Sequence, residues 1–135
     1  MIRPQETFTD MLARLFPIPG IQLGINSPHS KCITFQVTED CNLRCSYCYQ
    51  GCKTHRKMTF ETAKDERTNR YITSTETAGV VLDFIGGEPL LEVELVDQIL
   101  SYFVEQVFRL HHPWATRWKA SMSTNGTLYF RPEVQ

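Results

Sequence analysis

Residues 32–52 read CITFQVTEDCNLRCSYCYQGC, a short apolar run that leads straight into a cluster of cysteines. The run at residues 32–37 combines β-branched and apolar side chains with partial alternation, which predicts a central strand. Cys32 lies inside this run and is expected to be a small, buried apolar residue. The other cysteines follow where the predicted strand ends.

The five cysteines do not have the distribution of a disulfide framework. Four of them fall within residues 41–52, and the first ten residues, MIRPQETFTD, lack the apolar segment of a secretion signal. Clustered cysteines in a chain without an export signal favour metal binding. The set is Cys32, Cys41, Cys45, Cys48 and Cys52.

Three of these cysteines have the spacing Cys41-x3-Cys45-x2-Cys48. Three thiolates on a short loop can hold three irons of a [4Fe–4S] cluster, and the fourth iron then keeps open coordination positions for a substrate or cofactor. Cys52 leaves two alternatives open. Four thiolates could close the cluster into a ferredoxin-like electron-transfer module, or they could form a structural zinc site.

Outward from the cysteines, strand and helix signals alternate along the chain. This order predicts an α/β fold with a parallel sheet and right-handed crossovers. The predicted elements after the first strand are a helix at 57–71 with Thr59 as its N-cap, a strand at 79–85, a helix at 90–112 and a strand at 119–124. Residues 1–30 are predicted to be an N-terminal extension with a short helix at 7–16 and a short strand at 21–25.

The second predicted strand ends in Gly86-Gly87-Glu88-Pro89. Two glycines let a backbone approach a ligand closely, and Glu88 adds an anionic acceptor. Pro89 is suited to the first turn of the helix that follows. This segment and the cysteines each follow a strand, at the edge of the sheet where barrel folds place their active sites.

The third predicted strand continues into a polar turn, in the sequence KASMSTNGT at residues 119–127. Strand alternation puts Ser121, Ser123 and Asn125 on one face. If that face points into a barrel, these hydroxyls and the amide could bind a cofactor. A polar strand end before a tight turn is an equally good interpretation.

The cysteine spacing, with Tyr47 before the last of the three, resembles the cluster motif of the radical S-adenosylmethionine (radical SAM) superfamily. The resemblance implies that Cys41, Cys45 and Cys48 ligate the cluster and that Tyr47 packs near the adenine of the cofactor. It also implies that Gly86, Gly87 and Glu88 receive the cofactor's ammonium group, and that Ser121 and Asn125 reach its methionine or ribose end. In that superfamily, reductive cleavage of S-adenosyl-L-methionine releases a 5′-deoxyadenosyl radical.

The segments FIGGEPLL and STNGTL resemble those of the peptide and protein maturase branch, which includes anaerobic sulfatase-maturating enzymes. The resemblance implies a peptide or protein substrate and a flavodoxin or ferredoxin as reductant. The superfamily core is a partial (β/α)6 barrel, of which residues 31–135 would supply about βαβαβ. We therefore expect a truncated radical SAM core that is inactive by itself.

The net charge and the lengths of the apolar runs argue against two classes of function. The formal net charge is −1, which lacks the basic excess of a nucleic-acid-binding domain. No apolar run approaches the roughly 20 residues that a membrane-spanning helix needs. The sequence therefore predicts a cytoplasmic protein that binds neither nucleic acid nor membrane.

Overall fold

A computed structural model describes residues 30–65 and 79–135. These residues contain one sheet of three parallel strands in the order β1-β2-β3. The strands are β1 (Ser30–Thr38), β2 (Gly79–Gly86) and β3 (Trp118–Met122), and the helices are α1 (Phe60–Ala63) and α2 (Val93–Arg109), with short 3₁₀ helices at Pro89–Glu92 and Pro113–Thr116. The predicted order of strands and helices is confirmed within the described residues.

One face of the sheet forms the core. Phe35 pairs with Phe84, which pairs with Met122, and the rings of Phe35 and Phe84 stack with their centroids 5.4 Å apart. Helix α2 covers this face with apolar residues at three- and four-residue steps, as its sequence predicts. Its buried apolar residues are Leu95, Val96, Ile99, Phe103 and Val107. The single small residue Ala63 of α1 joins the same core.

The strand order and the shared core define how the chain winds. Consecutive strands are neighbours, and both α1 and α2 pack on the same face of the sheet. A barrel wall is built in this way, because its helices all lie outside the ring of strands. The partial (β/α)6 barrel as a whole stays a prediction.

Cys32 corrects one expectation from the sequence. It is exposed, whereas a buried position was predicted. Successive side chains of a strand point to opposite faces, so Cys32 shares its face with Thr34 and Gln36, and all three are exposed. The buried face of β1 is instead the one that carries Phe35.

The boundaries of one predicted helix and one predicted strand differ in the structure. The helix predicted at 90–112 begins as a 3₁₀ turn after Glu88, whose carboxylate accepts a hydrogen bond from the N–H of Leu90. Regular α-helix begins only at Val93 and ends at Arg109. The third strand ends at Met122 instead of 124, because the next residues turn towards Glu88.

The first helix is shorter than its predicted range of 57–71. It runs only from Phe60 to Ala63, with Lys64 as its C-cap, and Lys57 instead forms an antiparallel bridge with Thr38. Thr59 caps α1 as predicted, since its hydroxyl accepts a hydrogen bond from the N–H of Thr62 at 3.2 Å. Residues 66–78 and residues 1–29 lie outside the described residues, and so do the predicted helix at 7–16 and strand at 21–25. Among the described helices, none has the length and apolar character needed to cross a membrane.

Candidate metal centre

The segment after β2 runs alongside the end of β1. The N–H of Gly87 donates to the carbonyl of Thr38 at 2.9 Å, and the N–H of Glu88 donates to the carbonyl of Asp40 at 2.8 Å. These bonds extend the contact between the two chain segments past the last strand residues. They end at the residue immediately before Cys41.

Both glycines are required by this contact. A Cβ atom on Gly86 would lie 2.3 Å from the carbonyl oxygen of Thr38, and one on Gly87 would lie 2.0 Å from that of Asp40. Gly86 also has a φ of 154°, in a region that side chains disfavour. The sequence predicted a close approach of these glycines to a ligand. The structure shows a close approach to the backbone that leads into the cysteine loop.

Glu88 is fully buried and joins the ends of two strands. Its Oε1 accepts hydrogen bonds from the N–H of Leu90 at 2.9 Å and from the hydroxyl of Thr124 at 2.7 Å. Its Oε2 accepts the N–H of Asn125 at 2.8 Å. A buried carboxylate needs such donors to offset its lost hydration. Glu88 therefore fixes the turn after β3 against the turn after β2.

Asn125 continues this network to the cysteine loop. Its Nδ2 donates to Oδ1 of Asn42 at 2.9 Å and lies 3.8 Å from Sγ of Cys41. Asn42 in turn donates to the hydroxyl of Thr127 at 2.7 Å. The turn after β3 is thereby held against the cysteine loop beside Cys41.

The cysteines differ in their surroundings. Cys41 is buried, Cys48 is half-buried, Cys45 and Cys52 are exposed, and all are free thiols. Sγ of Cys41 accepts the N–H of Leu43 at 3.4 Å. Lys53 Nζ lies 3.1 Å from Sγ of Cys48, and this contact lowers the pKa of the Cys48 thiol below its ordinary value of 9.0, with help from the N–H of Gln50.

These donors fit a thiolate-bound cluster. Hydrogen bonds to the sulfurs stabilise thiolates, which are the form that ligates iron–sulfur clusters. Within residues 30–65 and 79–135, no three His, Cys, Asp or Glu side chains are gathered around the position of a single metal ion.

Asp40 anchors the start of the loop. Its Oδ2 lies 2.8 Å from Nδ1 of His55, and its Oδ1 accepts the N–H of Cys41 at 2.8 Å. The hydrogen bond with His55, followed by that from Cys41, lowers the pKa of the Asp40 carboxyl below its ordinary value of 3.8. The aspartate is thus held in its charged form directly before the first cysteine of the motif.

The structure brings some predicted site residues together and leaves others apart. Gly86, Gly87, Glu88 and Asn125 all lie against the cysteine loop or its entry, as the bonds above show. The side chain of Tyr47 is 89% exposed. The hydroxyl of Ser121 donates to Asp83 on the sheet face opposite α2, and within the described residues it makes no hydrogen bond to the cysteine loop.

Several residues of this region were not predicted from the sequence. They are Asp40, Asn42, Lys53, His55, Thr124 and Thr127. The hydroxyl of Tyr49 also lies 3.5 Å from the carbonyl oxygen of Gly86. Lys53 alone had a local signal, because a cation close in sequence to a cysteine favours its thiolate.

Comparisons with known proteins bear on the same region. The model of a protein family described as a 4Fe-4S single cluster domain matches residues 25–128. An uncharacterized protein of Methanocaldococcus jannaschii is 38% identical over 72 residues, which cover 53% of this chain and 24% of that protein. An S-adenosylmethionine-dependent nucleotide dehydratase of Selenomonas ruminantium is 29% identical over 104 residues, which cover 76% of this chain and 32% of the dehydratase.

The chain thus spans about a quarter to a third of the length of the curated relatives it matches. Neither relative supports the maturase branch.

Proposed function

Because the chain belongs to the 4Fe-4S single cluster domain family and is a radical SAM-type iron–sulfur domain, we propose that it binds a [4Fe–4S] cluster and S-adenosyl-L-methionine. Cys41, Cys45 and Cys48 hold the cluster in this proposal, and one iron stays without a protein ligand. When bound, the cluster would supply the electron that breaks the C5′–S bond of S-adenosyl-L-methionine, giving methionine and a 5′-deoxyadenosyl radical.

One observation carries the proposal: the ends of all three parallel strands meet beside Cys41. The turn after β2 is bonded to the carbonyl of Asp40, and the turn after β3 reaches Cys41 through Asn125. Barrel enzymes assemble their active sites from loops at this end of the strands. A cluster on the cysteine loop would therefore be bordered by two loops that are rigidly tied to it.

Different residues of the cysteine loop and of the turn after β2 would contact the cluster thiolates and the cofactor. Lys53 favours the thiolate of Cys48, and the N–H of Leu43 supports that of Cys41. The carbonyl of Gly86 lies near the loop, where it could accept the ammonium of the cofactor. Tyr47 is exposed and available to pack on an adenine.

In this proposal, Glu88 is also part of the cofactor site. A carboxylate offers about four acceptor positions, and three protein donors already occupy the buried carboxylate of Glu88. In this proposal, the remaining acceptor position of the carboxylate takes the cofactor's ammonium. Glu88 also orients Asn125 through the hydrogen bond from its backbone N–H. Ser121 is the last of the cofactor-binding residues predicted from the sequence, and it lies on the face of the sheet opposite α2.

The substrate and the reductant are proposed from the comparisons and from short sequence segments. The similarity to the dehydratase extends over 76% of this chain, and this favours a nucleotide substrate. The short segments FIGGEPLL and STNGTL instead favour a peptide or protein. We propose a flavodoxin or ferredoxin as reductant.

The test is anaerobic reconstitution of the chain with iron and sulfide, followed by iron analysis and visible absorption of cysteine variants. Alanine at Cys41, Cys45 or Cys48 is expected to abolish cluster absorption, while Cys52→Ala retains it. Cys32→Ala is the matched control, because Cys32 is an exposed thiol outside the loop. Loss of the cluster in Cys52→Ala would indicate the ferredoxin-like module instead, and zinc in place of iron would exclude both.

A further inference from the structure

Lys53 is fixed at the candidate cluster site from two sides. Its Nζ donates to Sγ of Cys48 at 3.1 Å and to Oε1 of Gln50 at 2.9 Å. The side chain is half-buried, and its charge is held next to the thiolate. An ammonium group is a compact cation with three donors, so it can make both bonds at once.

The other two proposed ligands have different neighbours. Among the described residues, Sγ of Cys41 receives only neutral amide groups, from the N–H of Leu43 and from Asn125 Nδ2 at 3.8 Å. Across residues 30–65 and 79–135, Cys45 Sγ has no hydrogen-bond donor. In the part of the chain that the structure describes, Lys53 is therefore the cation that donates to the sulfur of a proposed ligand. Arg44 also contacts a proposed ligand, but it donates to the backbone carbonyl of Cys41 and not to its sulfur.

We propose that Lys53 is a positioning residue that raises the reduction potential of the cluster through the Cys48 thiolate. The inference rests on the proposed function, because it requires a cluster on Cys48. The reaction concerned is the one-electron reduction of the cluster, and the electron comes from an external low-potential reductant. No bond is made or broken in this step.

The physical reason is the change in charge on reduction. Reduction adds one negative charge to the cluster and its thiolates, and a nearby cation stabilises the more negative state. Hydrogen bonds to the sulfurs and the net charge of the site are known determinants of cluster potentials. A charge-assisted bond at 3.1 Å combines both effects on one ligand.

A purely structural role for Lys53 predicts a different result. If Lys53 only holds the loop through Gln50, its replacement would reduce cluster loading and leave the potential of the loaded fraction unchanged. The reduction potential therefore separates the two roles. Lys53→Arg keeps the positive charge, and Lys53→Gln removes it.

The control is Lys57→Gln. Lys57 is an exposed lysine whose Nζ pairs with Glu92 at 3.4 Å, so its replacement removes the same charge from a different contact. Gln50→Leu is a second test variant, because it keeps the ammonium but removes its anchor.

The experiment is a redox titration of the reconstituted chain, monitored by electron paramagnetic resonance. At the wild-type midpoint, we expect the ratio of reduced to oxidised cluster to fall about tenfold in Lys53→Gln, which is 59 mV for one electron. Gln50→Leu should shift the ratio less in the same direction. Lys53→Arg and Lys57→Gln should stay close to the wild type.

Three results would overturn the inference: an unchanged midpoint in Lys53→Gln, an equal shift in Lys57→Gln, or loss of the cluster in Lys53→Gln alone. Absence of a cubane signal from every protein, the wild type included, would instead refute the proposed function.

Discussion

The backbone N–H of Asn125 donates to Oε2 of Glu88 at 2.8 Å, across 37 positions of sequence. This bond joins the turn after β3 to the turn after β2. Because Asn125 also contacts Asn42 and Cys41, the buried carboxylate supports the cysteine loop from a distance. Glu88 is thus part of the scaffold of the candidate site.

Replacing Glu88 with Gln should destabilise the domain. The glutamine side chain keeps one acceptor oxygen, but its NH₂ group replaces the other. That NH₂ group would then face one or two of the N–H and O–H donors that bind the carboxylate in the wild type. Loss of a buried hydrogen bond to a charged group is expected to lower the free energy of unfolding by about 1–3 kcal/mol. Urea denaturation followed by circular dichroism measures the change.

The control for this variant is Glu92→Gln. Glu92 is half-buried and pairs with the exposed Lys57, and loss of an ion pair with an exposed partner is expected to change stability by about 0.2–1 kcal/mol. Equal stability of Glu88→Gln and the wild type would contradict the scaffold role.

Gly87→Ala tests the contact between the turn after β2 and the entry to the cysteine loop. The new methyl group would lie 2.0 Å from the carbonyl oxygen of Asp40, so one of the two backbones must move. We expect a loss of about 1–3 kcal/mol, the usual cost of overpacking, together with lower iron content after reconstitution. Thermal unfolding and iron analysis measure both effects.

Gly51→Ala is the matched control, because nothing lies within 4 Å of a Cβ atom at that position. A Gly87→Ala variant that loads iron as well as Gly51→Ala would show that the close approach is dispensable.

The Asp40 carboxylate should make stability depend on pH in acid. Its pKa is lowered in the folded chain, chiefly by the hydrogen bond with His55. A lowered pKa stabilises the fold above the ordinary value, and this contribution disappears as the pH falls through the folded value. Asp40→Asn should therefore lose stability at neutral pH and approach the wild type as the pH falls through the ordinary carboxyl pKa of 3.8 and below the lowered pKa of folded Asp40.

Urea unfolding of both proteins over this pH range provides the measurement. Asp97→Asn is the control, because Asp97 is exposed on α2. A wild-type advantage over Asp40→Asn that persists undiminished at the lowest pH would rule out this explanation.

Asn125→Ala should loosen the cysteine loop. The substitution removes the bond to Asn42 and leaves the hydroxyl of Thr127 without its acceptor on Asn125. Each lost bond is expected to cost about 1 kcal/mol. Hydrogen exchange at the amides of residues 41–44 should become faster than in Ser123→Ala, whose side chain is exposed. Identical exchange in the two variants would be evidence against the network.

The sequence was sufficient for the features that depend on local pattern. The apolar steps of α2 and the N-cap at Thr59 are short-range signals, and both were found in the predicted places. Burial of Cys32 was predicted wrongly, because composition does not reveal which face of a strand is covered. Phe35 lies on the face of β1 that is covered, and Cys32, an odd number of positions away, lies on the other face.

The hydrogen bonds that support the candidate site could not be predicted from the sequence. Thr124 and Glu88 are 36 positions apart, and only the parallel pairing of β2 with β3 brings them together. Gly86 and Gly87 were expected to let the backbone approach a ligand. In the structure they are needed because the backbone of Thr38 and Asp40 lies against them, and the sequence does not distinguish these two reasons for a glycine. Cofactor roles for Tyr47 and Ser121 stay predictions.

The most direct measurement is electron paramagnetic resonance of the anaerobically reduced chain, with signals normalised to bound iron, before and after addition of S-adenosyl-L-methionine. If one iron lacks a protein ligand, the cofactor should bind it and change the g-values of the reduced cluster. The same spectrum with and without the cofactor would mean that all four irons are already ligated by the protein, and the proposed radical chemistry would be contradicted.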